Sequence, residues 1–253
     1  MNPLERIDLF FLIFIRISAI IFIAPFFGSP NIPNRVKGGI SVLLSIMLYP
    51  SISTKIPEQE ATSLISLIIG ISREIILGAW IGLVITMIFE AVRLAGQLIG
   101  FQMGFGIVNI IDPDSEVQYS PIAQFKNIIA LLIFLSIDGH HMIIKALIDS
   151  FKTLPIFGFS ITGRSIEHII RLSGEMFSIS VRIGAPVISI LLLSNIALGL
   201  LARAIPQLNV FIAGFPVQIA AGLLGLGITT PFFVQFLHDL FQDMAKGLNF
   251  VFM

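Results

Sequence analysis

Cysteine is absent from the 253 residues, which excludes disulfides, thiol chemistry and a cysteine-held iron–sulfur cluster and leaves the compartment unread. Charge is scarce. Asp, Glu, Lys and Arg make up 12% of the chain, against about 25% in soluble domains. The 15 basic residues are balanced by 15 acidic ones, so the basic footprint that nucleic acid requires is missing. The common catalytic signatures are missing as well: no HExxH or Walker A sequence occurs, and no G-x-S-x-G nucleophile motif. "GFQMGFG" (100–106) has the wrong spacing for a nucleotide loop and no strand before it. "DGHH" (138–141) invites a metal reading through Asp138, His140 and His141. Adjacent histidines diverge by about 100° around a helix, and no second cluster supports them. A helix break at Gly139 with interfacial histidines is expected instead. No catalytic residue, cofactor or metal is expected.

What is present is apolar: 56% of the residues are hydrophobic. A water-soluble fold of this size lacks the polar residues to cover its surface, so the chain reads as an integral membrane protein. A bilayer core of about 30 Å takes about 20 apolar helical residues. The candidate helices are roughly 7–27, 38–54, 64–89, 127–149, 174–202 and 208–237, with 94–111 as a seventh, shorter piece. The runs are too long for barrel strands and do not alternate, which predicts an all-α membrane protein. The first run follows Glu5, Arg6 and Asp8 and contains Arg16, so it is expected to stay in place rather than be cleaved.

Several charges interrupt or border apolar runs: Arg16, Arg73, Glu74, Glu90, Arg93, Asp138, Glu175 and Arg182. A charge facing lipid at the bilayer centre costs at least about 2.5–3.5 kcal/mol, so each must meet a partner, water or headgroups. Glu90 and Arg93 have the i,i+3 spacing for a pair on one helix face. Either such local pairing and snorkelling accounts for the set, or these helices pack inside a protein assembly. "GSPNIPNRVKGG" (28–39) is a turn before a new helix. "TKIPEQEAT" (54–62), the acidic "DPDSEVQYSP" (112–121) and "TLPIFGFSITGRS" (153–165) are loops. Lys and Arg are spread over alternate loops and give no orientation.

Two punctuated segments stand out. With 94–111 as a helix, Gly96, Gly100 and Gly104 fall within an arc of roughly 80°, opposite Leu94, Leu98, Phe101 and Phe105. Such a row lets another backbone approach closely, and Gly78 and Gly82 repeat the spacing earlier. Ordinary helix packing accounts for the glycines; the bulky row beyond them suits lipid, a neighbouring subunit or a pore. The apolar pattern ends at Asp112-Pro113. The second segment is "GLLARAIPQLNVFIAGFP" (199–216), with Arg203, Pro206, Gln207, Asn209, Phe215 and Pro216. It reads either as an interfacial loop, Arg203 favouring a helix C-terminus, or as a motif that binds a neighbouring chain. Two Gly/Pro-interrupted segments with intramembrane charges also suit a small-molecule secondary transporter, although no internal repeat supports one.

Taken together, "RISAIIFIAPFFGSPNIPNRVKGGIS", "GFQMGFGIVNIIDP", "IDGHHMIIKALIDSFKTLPIFG" and "GLLARAIPQLNVFIAGFP" resemble, in order and over nearly the whole chain, the FliR family of export-gate subunits of the bacterial flagellar type III secretion apparatus. The virulence-associated homologues are similar, but "NVFIAGFP" (209–216) resembles the flagellar branch. The resemblance implies one integral-membrane export-gate domain over 1–253. Within it lie an N-terminal hairpin (7–54), middle helices with a plug segment (64–126) and C-terminal helices (127–250). It implies stacked helical hairpins in a closed hetero-oligomeric assembly with FliP-like and FliQ-like helical subunits, in the flagellar basal body at the bacterial inner membrane. Further export-apparatus proteins and unfolded substrates in transit are the other implied partners. Carried onto this chain, it puts Phe101, Met103, Phe105, Gly106, Ile107, Val108, Ile110 and Ile111 at or near the channel constriction. Gly78, Gly82, Gly96, Gly100 and Gly104 would serve helix packing, and the 203–216 residues subunit assembly.

Overall fold

The computed structural model describes residues 3–53, 64–105, 120–158, 163–205 and 210–247. Among them are seven helices and no strand: α1 (Pro3–Ile23), α2 (Asn34–Ser53), α3 (Leu64–Gln102), α4 (Pro121–Ser136), α5 (Gly139–Thr153), α6 (Gly163–Ala204) and α7 (Val210–Gly247). The chain divides into two compact units. The first is Met1–Met87, Asp138–Arg171 and Phe241–Met253; the second is Ile88–Ile137 and Leu172–Leu240. Helices α3, α6 and α7 each contribute to both.

Four differences from the sequence expectation have physical causes. Runs 64–89 and 94–111 are not separate pieces: α3 continues through Glu90 and Arg93. These two pair on one helix face, Arg93 Nε donating to Glu90 at 2.9 Å, so no break is needed to accommodate them. The same helix stops at Gln102 rather than 111. Run 127–149 is not one helix but two, α4 and α5, bent by 69°. The break is at Asp138, one residue before Gly139. Asp138 has φ 58° and ψ 33°, a left-handed conformation that Asp tolerates better than most residues. Its carbonyl then accepts from His141 N at 2.9 Å and starts the new helix. Lastly, α6 begins at Gly163 rather than 174, because its first turns carry Glu167, Arg171 and Glu175 and escape a search for apolar runs.

Among the described residues three helices are long and apolar enough to cross a membrane, in α3, α6 and α7, or four if the bent α4–α5 pair is one span. Helix α1 carries Arg6, Asp8 and Arg16 in its last 18 residues, and α2 is diluted by Ser41, Ser45, Ser51 and Ser53.

In the first unit, α1 buries Leu12, Ile13, Ile17, Ile20 and Ile21, the spacing of one helical face. It packs on α2 and very closely on α3. A Cβ at Gly78 would lie 2.6 Å from Ala19 Cβ and 2.8 Å from the Arg16 carbonyl oxygen; one at Gly82 would lie 2.8 Å from Ile23. The turn between α1 and α2 is closed by Lys37, whose ammonium donates to the Gly28 carbonyl at 2.9 Å. In the second unit, Ile99 and Met103 of α3, Ile122 of α4, Val187 and Leu191 of α6 and Leu226 of α7 form one buried core. Phe89 and Phe134, also buried in this unit, meet edge to face with centroids 5.4 Å apart. Lys126, also buried, holds its ammonium 3.9 Å from the Phe233 ring centre.

Candidate functional site

The first unit contains a buried ion pair. Arg16 is 0% and Glu74 1% exposed. The guanidinium grips the carboxylate with two nitrogens, Nη2 at 3.0 Å and Nε closer still. Nη1 donates to the carbonyls of Leu154 at 2.8 Å and Ser150 at 3.3 Å, at the C-terminal end of α5. The Phe151 ring lies 4.3 Å beneath the guanidinium carbon. One side chain thus binds α1 to α3 and to the carbonyls at the C-terminal end of α5, where a cation is favoured. A fork of fixed donors suits this geometry as an ammonium would not. The pair resolves how two of the awkward charges sit in apolar helices: they meet each other, 58 residues apart.

The second unit holds the end of α3, where the sequence-derived constriction begins. Gly96 abuts the Ala123 backbone and Gly100 abuts Ser120, so α4 lies directly against the glycine side of α3. Ser120 caps α4, its Oγ accepting from Ile122 N at 3.3 Å, with Pro121 opening the helix. Met103 N still donates to Ile99 O at 2.9 Å. Gly104 then turns to φ +91°, which glycine alone adopts without strain. The Phe215 ring covers it, 2.6 Å from where a Cβ would be.

The sequence-derived residues separate as follows. Phe101 is 72% exposed, Met103 is 0% exposed, and Phe105 is half-buried against the core of the second unit. Gly106, Ile107, Val108, Ile110 and Ile111 lie outside the described residues, as do Pro206, Gln207 and Asn209. Gly78 and Gly82 share the continuous helix α3 with Gly96 and Gly100, whereas Gly104 is past its end. Arg203 is exposed in the last turn of α6, and α7 runs through an exposed Pro216. Three residues were missed. Glu74 as the partner of Arg16 leaves no local signal. Gly222, which receives Met103, lies in the small-residue row "AAGLLGLG" (220–227). Ser120 was legible as a cap before Pro121.

One geometric expectation is corrected. Asp138, His140 and His141 do gather, with ligand atoms within 4.8 Å of one another. The left-handed turn puts Asp138 outside the helix, and the two histidine rings tilt together with centroids 4.2 Å apart. Asp138 and His141 are largely exposed and stand 3.5 Å apart as an i,i+3 pair.

Apolar helices of membrane-spanning length, charges paired internally and glycine notches for close helix packing define an all-α membrane protein. The sequence matches the family described as bacterial export proteins, family 1, over residues 7–244, and the chain belongs to that family. Its relatives include proteins named flagellar biosynthetic protein FliR. That of Pectobacterium carotovorum is 37% identical, covering 93% of this chain and 89% of the relative. That of Escherichia coli K12 is 31% identical over 97% and 93%, and that of Bacillus subtilis 168 is 37% identical over 86% and 84%. The resemblance carried by the four sequence motifs therefore extends over the chain.

Proposed function

We propose that the chain is a non-enzymatic subunit of the flagellar type III protein export gate. It would help to form and close the channel through which unfolded flagellar proteins cross the bacterial inner membrane, within the basal body. The observation that carries this reading is likeness to FliR proteins along almost the whole length of both chains. FliP-like and FliQ-like helical subunits are its partners, and the chain acts as one gate domain. The uncovered apolar surface supports such an assembly: only 17% of the most apolar window of α6 and 22% of that of α7 are buried within the chain. A subunit needs other helices or lipid on those faces.

The constriction is the apolar stretch from Phe101 to Ile111. Bulky apolar side chains close a pore by excluding water, and Gly104 takes the positive φ that other residues resist. Residues 203–216 serve subunit assembly. Native mass spectrometry of the tagged chain, extracted in mild detergent from its own membrane, tests the reading. One copy held with several copies of two smaller, unlike helical proteins is expected. A stable homo-oligomer free of such partners overturns it.

A further inference from the structure

Met103 and Gly222 fit as a side chain in a notch. Three consecutive side-chain atoms of Met103, Cγ, Sδ and Cε, lie 2.6, 2.6 and 2.7 Å from where a Cβ at position 222 would be. No residue but glycine leaves the methionine where it is. Methionine suits the notch, since an unbranched thioether follows a groove and asks for no polar partner. Gly104, the next residue, has the positive φ noted above, and the Phe215 ring fills the space over it. Both contacts come from α7, seven residues apart, on one face of that helix. The returning end of the chain is held beside them: Ile122 shares the core with Met103, and Ser120 and Ala123 sit in the notches of Gly100 and Gly96.

We propose that Gly222 and Phe215 are positioning residues for the constriction. They hold the stem Met103–Gly104–Phe105 that follows the end of α3. The inference rests on the gate reading above. It makes Met103 an anchor in the core rather than a lining residue, and gives Phe215 a role within its own chain. A seal of apolar side chains works only while they meet. A side chain at 222 meets Met103 Cγ, Sδ and Cε and displaces that side chain from its place in the core, which loosens the stem it anchors.

The test is the ion permeability of cell membranes, normalised to the amount of assembled gate in native gels. Gly222→Leu is expected to assemble and to leak several-fold more than wild type. Met103→Ala/Gly222→Leu, which refills the same space from the opposite helix, is expected to return permeability to near wild type. A merely structural role changes the amount of gate and not the leak per gate. Gly222→Leu that assembles and stays tight overturns the inference, as does a double variant as leaky as the single one. Should Gly222→Leu fail to assemble, Met103→Cys/Gly222→Cys decides. The chain has no other cysteine, and disulfides need Cβ atoms about 3.5–4.5 Å apart. Rapid oxidation in assembled, tight gates supports the seated stem, and a pair that stays reduced there overturns it. Deleting Phe105–Ile107 separates the two levels. A tight Gly222→Leu gate beside a leaky deletion sinks only the positioning role, while a tight deletion sinks the constriction itself.

Discussion

Arg16 shows what a single buried charge demands. Its loss leaves Glu74 in an apolar interior without its counter-ion, and takes one donor away from the Ser150 and Leu154 carbonyls at the end of α5. Removing one partner of a buried pair costs about 3–5 kcal/mol, whereas replacing both by apolar residues of similar size is often neutral. Arg16→Met is therefore expected to lower the unfolding temperature of the purified protein sharply. Arg16→Met/Glu74→Leu is expected to recover most of that loss, short of the α5 carbonyl contacts. If the double variant is as unstable as the sum of the singles, the pair contributes beyond mutual neutralisation. Lys126 makes the opposite case. Its buried ammonium has the Phe233 ring beneath it, a contact of about 0.5–2 kcal/mol, set against the cost of burying a charge. Lys126→Met is expected to leave thermal stability unchanged or raised, and a marked fall in the melting temperature would count against this balance.

At the scale of elements, the notched glycines of α3 are not equivalent to Gly199 of α6 and Gly227 of α7. Gly78 and Gly82 are where α1 presses on α3, with no room for a Cβ. Gly78→Ala is expected to cost about 1–3 kcal/mol through forced separation of the two helices. Gly199 in α6 and Gly227 in α7 meet nothing within 4 Å, so Ala there is expected to be neutral or to stabilise by up to about 1 kcal/mol through helix propensity. Thermal unfolding of the three variants side by side reads the contrast. The bend between α4 and α5 follows the same logic in reverse. Asp138 takes a conformation that β-branched residues resist, so Asp138→Val is expected to destabilise the first unit, whereas Asp138→Gly is tolerated.

For the whole molecule, the balance of buried and uncovered surface is the main fact. Arg16 and Glu74 are paired inside, Glu90 and Arg93 pair along their own helix, and the apolar faces of α6 and α7 remain available. Such a chain is suited to a place among other helices. Deletion of Phe105, Gly106 and Ile107 is expected to leave assembly intact and make the membrane leak ions and small molecules. Unchanged permeability in a correctly localised, assembled variant removes the constriction from this stretch.

Sequence by itself determined the helical membrane class, the Glu90–Arg93 pair and the family. These rest on the lengths of apolar runs, on i,i+3 spacing and on motif order, all properties of neighbours along the chain. It also marked the glycine side of α3. Tertiary structure alone decided that Glu74 is the partner of Arg16 and that Gly222 receives Met103, because these residues are joined only by packing across 58 and 119 positions. It decided too that α3 passes unbroken through a charged pair while an apolar run bends at Asp138. Hydropathy registers how apolar a segment is; whether the backbone continues depends on where its charges and carbonyls find partners.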